Sequence, residues 1–133
     1  MVLYVDGGCS GNGQRDMARR RMVMVVTDAH GAVLLEDQDT GGSNNIAELR
    51  AVLDALRWCR SHEVFEVEIR TDSRNNLAWV NGLKVGRQIN DRDAVLDLKA
   101  RIERLREPMQ VRLVWVPREK NKAGHYIESK HGL

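Results

Sequence analysis

The sequence has no apolar run long enough to cross a bilayer, so no membrane span is expected. Its first residues, MVLYVDGG, lack the basic-then-apolar order of a secretory signal. Cysteine is scarce. Cys9 and Cys59 are the two thiols, and their separation is not that of a metal site. A reduced, cytoplasmic setting is therefore expected, with both thiols read as small apolar side chains. Internal repeats, low-complexity stretches and interdomain linkers are missing too. Nor is there a strong excess of one charge: the net value is +2, weak evidence for any partner. The length, 133 residues, fits one domain over 1–133 with a single core. A monomer is expected.

Charge is more telling in its distribution. Arg15, Arg19, Arg20 and Arg21 crowd RDMARRR, and Arg118, Lys120 and Lys122 crowd PREKNK. Such clusters can face phosphates. Alone, they read as solvated loop charge.

The hydrophobic pattern places the elements. VLYVD (2–6) reads as a strand, followed by a Gly-rich loop over 7–20. RMVMVVTD (21–28) and AVLLEDQD (32–39) read as a hairpin around His30-Gly31. Residues 44–59 carry Ile46, Leu49, Val52, Leu53, Leu56 and Cys59 on one helical face, with Ser43 or Asn44 as N-cap. FEVEIRTD (65–72) alternates, with Phe65, Val67 and Ile69 on one side. A short helix spans 73–82, capped by Ser73 and closed by Gly82. An amphipathic helix at 91–107 turns Val95, Leu98, Ile102 and Leu105 inward and stops at Pro108. A last strand (110–117) and a short helix (121–130) follow. Trp58, Trp79 and Trp115 read as packing residues rather than platforms for bases. Strands after long helices suggest parallel additions to an antiparallel start.

Asp6 is the anomaly in this pattern. It follows VLYV directly, and a buried carboxylate is costly unless it is paired or holds a metal. Two further acids sit at similar landmarks. Glu48 lies in the first turns of the 44–59 helix, and Asp72 ends the 65–72 strand just before a helix start. Singly, Glu48 reads as an acid favouring the helix dipole, and Asp72 as an N-cap. Together they sit where α/β folds assemble sites. Converging carboxylates need a cation, and hard oxygen donors suit Mg²⁺ or Mn²⁺. Two such ions, about 4 Å apart, can clamp the attacking and leaving oxygens of a phosphodiester.

YVDGGCSGNG, SNNIAEL and IRTDS, followed by VWVPREKNKAG, resemble ribonuclease H of type 1 in order and spacing across nearly the whole chain. The resemblance is to a compact form without a Trp-rich basic insertion. It implies an α/β fold, RNase H-like, with a five-stranded mixed sheet in the order 3-2-1-4-5 flanked by helices. It implies cleavage of the RNA strand of an RNA–DNA hybrid, leaving a 5′-phosphate and a 3′-hydroxyl. It implies two Mg²⁺ ions, bridged by Asp6 and completed by Glu48 and Asp72. It places groove contacts at Cys9, Ser10, Gly11, Asn12, Asn44 and Asn45, and a substrate contact at Arg74, where many members carry Gln.

The family pattern at the last helix is Asn, three residues, then Asp. Counting from Asn121 lands on His125. Three readings stay open: His125 ligates and favours Mn²⁺, it acts through water or as a proton shuttle, or the first ion is held weakly and the protein is slow. Glu128, one turn on, is a weaker substitute. The loop before that helix lacks the family's product-release His, and Arg118 or Lys120 stands in as a phosphate contact. The expected function is thus a metal-dependent endoribonuclease on RNA–DNA hybrids, with Asp6, Glu48, Asp72 and His125 at its centre. The alternative is a binding module on the same fold with weak or no turnover. A transposase-like DNA cutter is a further possibility.

Overall fold

In the computed structural model, residues 1–10, 20–87, 89 and 91–133 are described. Gly11, Asn12, Arg15 and Arg19 lie outside them. The strands are β1 (Val2–Ser10), β2 (Arg21–Asp28), β3 (Val33–Thr40), β4 (Glu66–Thr71) and β5 (Gln110–Trp115). The helices are α1 (Asn44–Ser61), α2 (Arg74–Val80), α3 (Arg92–Arg106) and α4 (Lys122–His131), with a 3-10 turn at Arg118–Lys120. The sheet order is β3-β2-β1-β4-β5. β1 and β3 run antiparallel to β2, while β1, β4 and β5 are mutually parallel. This is the mixed five-stranded arrangement that the resemblance implies.

β1 is central and covered on both faces, which is why VLYV is continuously apolar. Leu3 and Val5 join the core beneath α1 and α3, whereas Tyr4 joins Val23, Val25, Ala123 and Ile127 beneath α4. Alternation then turns Asp6 to the α4 face and Gly7 to the α1 face. α1 buries Leu49, Val52, Leu53 and Leu56, each worth about 1.5–3 kcal/mol when fully buried. Trp79 is buried in the same core, and Trp58 stacks on His62.

Several boundaries differ from expectation. β1 does not stop at Asp6. Gly7, Gly8, Cys9 and Ser10 continue the ladder, opposite Met24, Val23, Met22 and Arg21. A Cβ on Gly7 would lie 2.2 Å from the Ala47 carbonyl carbon and 2.4 Å from the Glu48 nitrogen. That glycine therefore serves strand–helix contact, letting α1 rest directly on the backbone of β1. Phe65 falls outside β4 and is half-exposed, and Leu105 is only partly buried. β5 ends before Pro117.

Candidate active site

Three acids approach from three elements. Asp6 is buried in β1. Glu48 lies in the second turn of α1, whose N-cap is Ser43, accepting from the Ile46 N–H. Asn44 does not cap the helix; its Oδ1 accepts from the Cys9 N–H at 3.0 Å, tying the end of β1 to the start of α1. Asp72 follows β4 and precedes Ser73, the N-cap of α2. Thr71 Oγ1 accepts from the Ser73 N–H, fixing that corner.

Oxygens of Asp6, Glu48 and Asp72 all lie within 4.8 Å of one another. Burial, with the neighbouring Asp72 and Glu48, pushes the Asp6 carboxyl up to about 8 against the opposing pull of Arg118. Burial, opposed by a Ser73 hydrogen bond and helped by Asp72, leaves Glu48 pushed up to about 7. Arg118 Nη1 stands 4.0 Å from Asp72 Oδ2, on a half-exposed side chain. One such cation cannot balance three acids. Converging hard oxygens with uncompensated charge fit a divalent cation such as Mg²⁺ or Mn²⁺.

Two asparagines at this corner were not singled out from the sequence. Asn121, fully buried, is the N-cap of α4, accepting from the Ala123 and Gly124 N–H groups. Its Nδ2 donates to Asp72 Oδ2 and to the Val5 carbonyl, both at 3.0 Å. In the sequence it was only the origin of a count. Asn76 is buried in α2 and donates to Glu48 Oε2 and the Asn45 carbonyl, both at 3.4 Å. A polar residue at a buried helix position was the available signal for it.

The other expected residues are placed unevenly. Asp6, Glu48, Cys9, Asn44 and Arg118 line one cleft of about 290 Å³. The N–H of Cys9 is already taken by Asn44, and its thiol is buried, so its expected direct contact with a groove lacks a free donor. Ser10 Oγ faces the Arg21 carbonyl. Among the described residues the Asn45 amide group has no partner, and Arg74 is exposed above Trp115. His125 is exposed on α4 and is not one of the clustered ligands. At the preceding position, Gly124, a Cβ would lie 3.2 Å from Asp6 Oδ2 and 3.6 Å from Asp72 Oδ2.

Comparison with known proteins agrees with this architecture. RNase H1 from the halophilic archaeon Halobacterium salinarum superimposes with a TM-score of 0.70 at 20% identity, covering 99% of this chain and 98% of that one. LC11-RNase H1, isolated from compost by a metagenomic approach, gives 0.66 at 27% identity, covering 95% and 90%. The same enzyme in complex with an RNA/DNA hybrid gives 0.62 at 28%, covering 90% and 87%. No curated protein sequence matches. The family model for RNase H matches residues 1–125, a span that holds all three clustered acids and α4 up to His125. The chain belongs to the RNase H family.

Proposed function

We propose that this protein is a metal-dependent endoribonuclease that cleaves the RNA strand of RNA–DNA hybrids. The convergence of Asp6, Glu48 and Asp72 carries the reading. These residues would hold the divalent ions. Such ions, when bound, activate water and stabilise charge on the phosphodiester oxygens. Asn121 orients the Asp72 carboxylate, and Asn76 holds Glu48 from inside the fold. Arg118 offsets part of the acid charge beside Asp72, and we assign it the phosphate contact on the substrate.

Recognition rests on the start of α1 and the end of β1. A hybrid displays 2′-hydroxyls in a shallow minor groove. The Asn45 amide supplies both donors and an acceptor for them, and Asn44, whose Oδ1 holds Cys9, supplies its Nδ2 donors. We assign Ser10, Gly11 and Asn12 to reading of the same groove, with Cys9 contributing through the strand it fixes. The two buried free thiols suit a reducing cytoplasm, and we take the active unit to be a monomer.

A labelled RNA–DNA hybrid incubated with Mg²⁺, and separately with Mn²⁺, tests the reading. The parent should cut only the RNA strand, and Asp72→Asn should not cut. Equal cleavage by Asp72→Asn would refute the metal assignment. Equal cutting of duplex DNA would point to a DNA nuclease. A second reading, a binding module without efficient turnover, is favoured by one observation: His125 stands apart from the three acids. Tight hybrid binding with no product under either ion would establish it.

A further inference from the structure

Arg74 is the first residue of α2, two positions beyond Asp72. Its guanidinium carbon sits 4.0 Å from the centre of the Trp115 ring. The side chain is exposed, and among the described residues this stack is its one interaction. Other arginines of the molecule are spent differently. Arg50 bridges Asp37 and Asp39, and Arg70 pairs with Glu68. Among the described residues Arg74 has no acid of its own.

Trp115 is engaged on two sides. Its Nε1–H donates to the Asp72 carbonyl at 3.2 Å, while its face lies under Arg74. One indole therefore fixes the backbone of a clustered acid and the plane of a neighbouring cation. Stacking uses the flat face of a guanidinium and leaves the N–H donors around its rim unspent. A rim held in a fixed plane matches two oxygens of one phosphate, with little entropy left to lose. The acid corner would otherwise repel a polyanion approaching Asp72. A fixed cation at its border offsets that repulsion.

We propose that the Arg74–Trp115 stack is a phosphate subsite that grips the sugar–phosphate backbone of the hybrid beside Asp72, with Trp115 the positioning residue that sets the guanidinium plane. This rests on the hybrid as substrate. It differs from groove reading, because a phosphate contact adds affinity uniformly and depends on salt.

The test is binding of a fluorescein-labelled RNA–DNA hybrid in EDTA, followed by anisotropy between 50 and 200 mM KCl, roughly the range over which phosphate contacts are lost. Arg74→Gln should weaken binding about tenfold and flatten the slope of log affinity against log salt by about one. Arg74→Lys should keep the slope while losing part of the affinity, because charge survives and the planar fork does not. Trp115→Leu should weaken binding as Arg74→Gln does, and the double variant should be no weaker than Arg74→Gln alone. Trp115→Phe keeps a ring beneath the cation and should fall between parent and Trp115→Leu. It also covers the case in which Trp115→Leu fails to fold, which thermal melting reports. An unchanged salt slope in Arg74→Gln overturns the subsite, as do additive losses at 74 and 115. A parent that binds no hybrid overturns the substrate assignment together with the subsite.

Discussion

At the first turn of α4, Asp6, Glu48 and Asp72 face one another across less than 4.8 Å with a single half-exposed arginine nearby. At its last turns, Glu36 of β3 faces only partners. Tyr126 Oη donates to Glu36 Oε2 at 2.7 Å, Lys130 Nζ lies 3.0 Å from the same oxygen, and His131 Nε2 lies 2.6 Å from Oε1. The same helix thus meets one carboxylate cluster whose charge is under-compensated and one carboxylate that is saturated with partners. Burial and mutual repulsion push Asp6 up to about 8, whereas the Tyr126 hydroxyl, with His131 and Lys130, holds Glu36 down at about 2. The first arrangement is destabilising until a cation arrives, and the second is a fastening. A site can be told from an anchor by the sign of that imbalance.

The two signs predict opposite responses to pH. Asp6 binds its proton more tightly in the folded state than its ordinary value of 3.8, so the metal-free fold loses stability as pH rises from about 4 to about 8. Glu36 binds its proton less tightly than its ordinary 4.5, so its contribution is complete above 4.5 and lost as pH falls towards 2. The largest expected effect follows from removing the first imbalance. Asp6→Asn should reduce hybrid cleavage on the order of a thousandfold or more. The same change should raise the metal-free Tm at pH 8 by roughly 4 °C or more, and the gain should shrink towards pH 4. Mg²⁺ should stabilise the parent and leave this variant unmoved, as differential melting would show. A fall in Tm at pH 8 would mean that Asp6 is paid for by contacts other than a cation.

Next in size is Gly7→Ala. Its methyl would enter the backbone of α1 at Ala47 and Glu48, and neither can move without shifting the helix. The expected cost is about 3 kcal/mol or more, read from chemical denaturation. Activity should fall too, because the contact that brings Glu48 to Asp6 is the one disturbed. A cost below about 1 kcal/mol would show that α1 can slide on β1.

Glu36→Gln acts at the other end of α4. It should cost about 1–2 kcal/mol near neutral pH, roughly 5 °C in Tm, with the difference from parent vanishing towards pH 2. Cleavage at 25 °C should stay within a factor of about two, since the anchor only holds the helix in place. A large loss of activity with little loss of stability would tie the far end of α4 to the acid corner.

These two regions were unequally legible in the sequence. Asp6 was visible because an acid after VLYV violates the pattern of a buried strand, and Glu48 and Asp72 because they stand at landmarks of periodic segments. The helix faces followed from spacing: Leu49, Val52, Leu53 and Leu56 are all buried as read. Sequence pattern reads Gly7–Ser10 as loop because propensity marks glycine as a breaker, whereas the demand for glycine comes from a helix packing some forty residues away in sequence. The anchor was invisible for a related reason. Glu36 and its partners lie 90 to 95 residues apart, and each is an ordinary surface type. Asn121 and Asn76 were hidden likewise, since only the folded chain brings their amides to Asp72 and Glu48. Local pattern reveals what breaks a rule; it is silent on polar contacts made at long range.

The smallest effect is expected at His125, where the contrast between ligand and bystander is sharpest. It lies one turn beyond Asn121, and residues four apart share a helix face. It therefore stands above the amide that grips Asp72, yet is exposed and outside the carboxylate cluster. A neutral nitrogen donor there adds little for a hard cation, so His125→Ala should change Mg²⁺-supported cleavage by no more than about threefold. An acid on the same face supplies the missing charge. His125→Asp should speed Mg²⁺-supported cleavage several-fold and lower the Mg²⁺ concentration that half-stabilises the fold, with a smaller change under Mn²⁺. The melting shift separates a metal effect from a contact with substrate, since no nucleic acid is present. An unchanged Mg²⁺ response in both assays would put position 125 outside the site and leave Asp6, Glu48 and Asp72 as its whole ligand set.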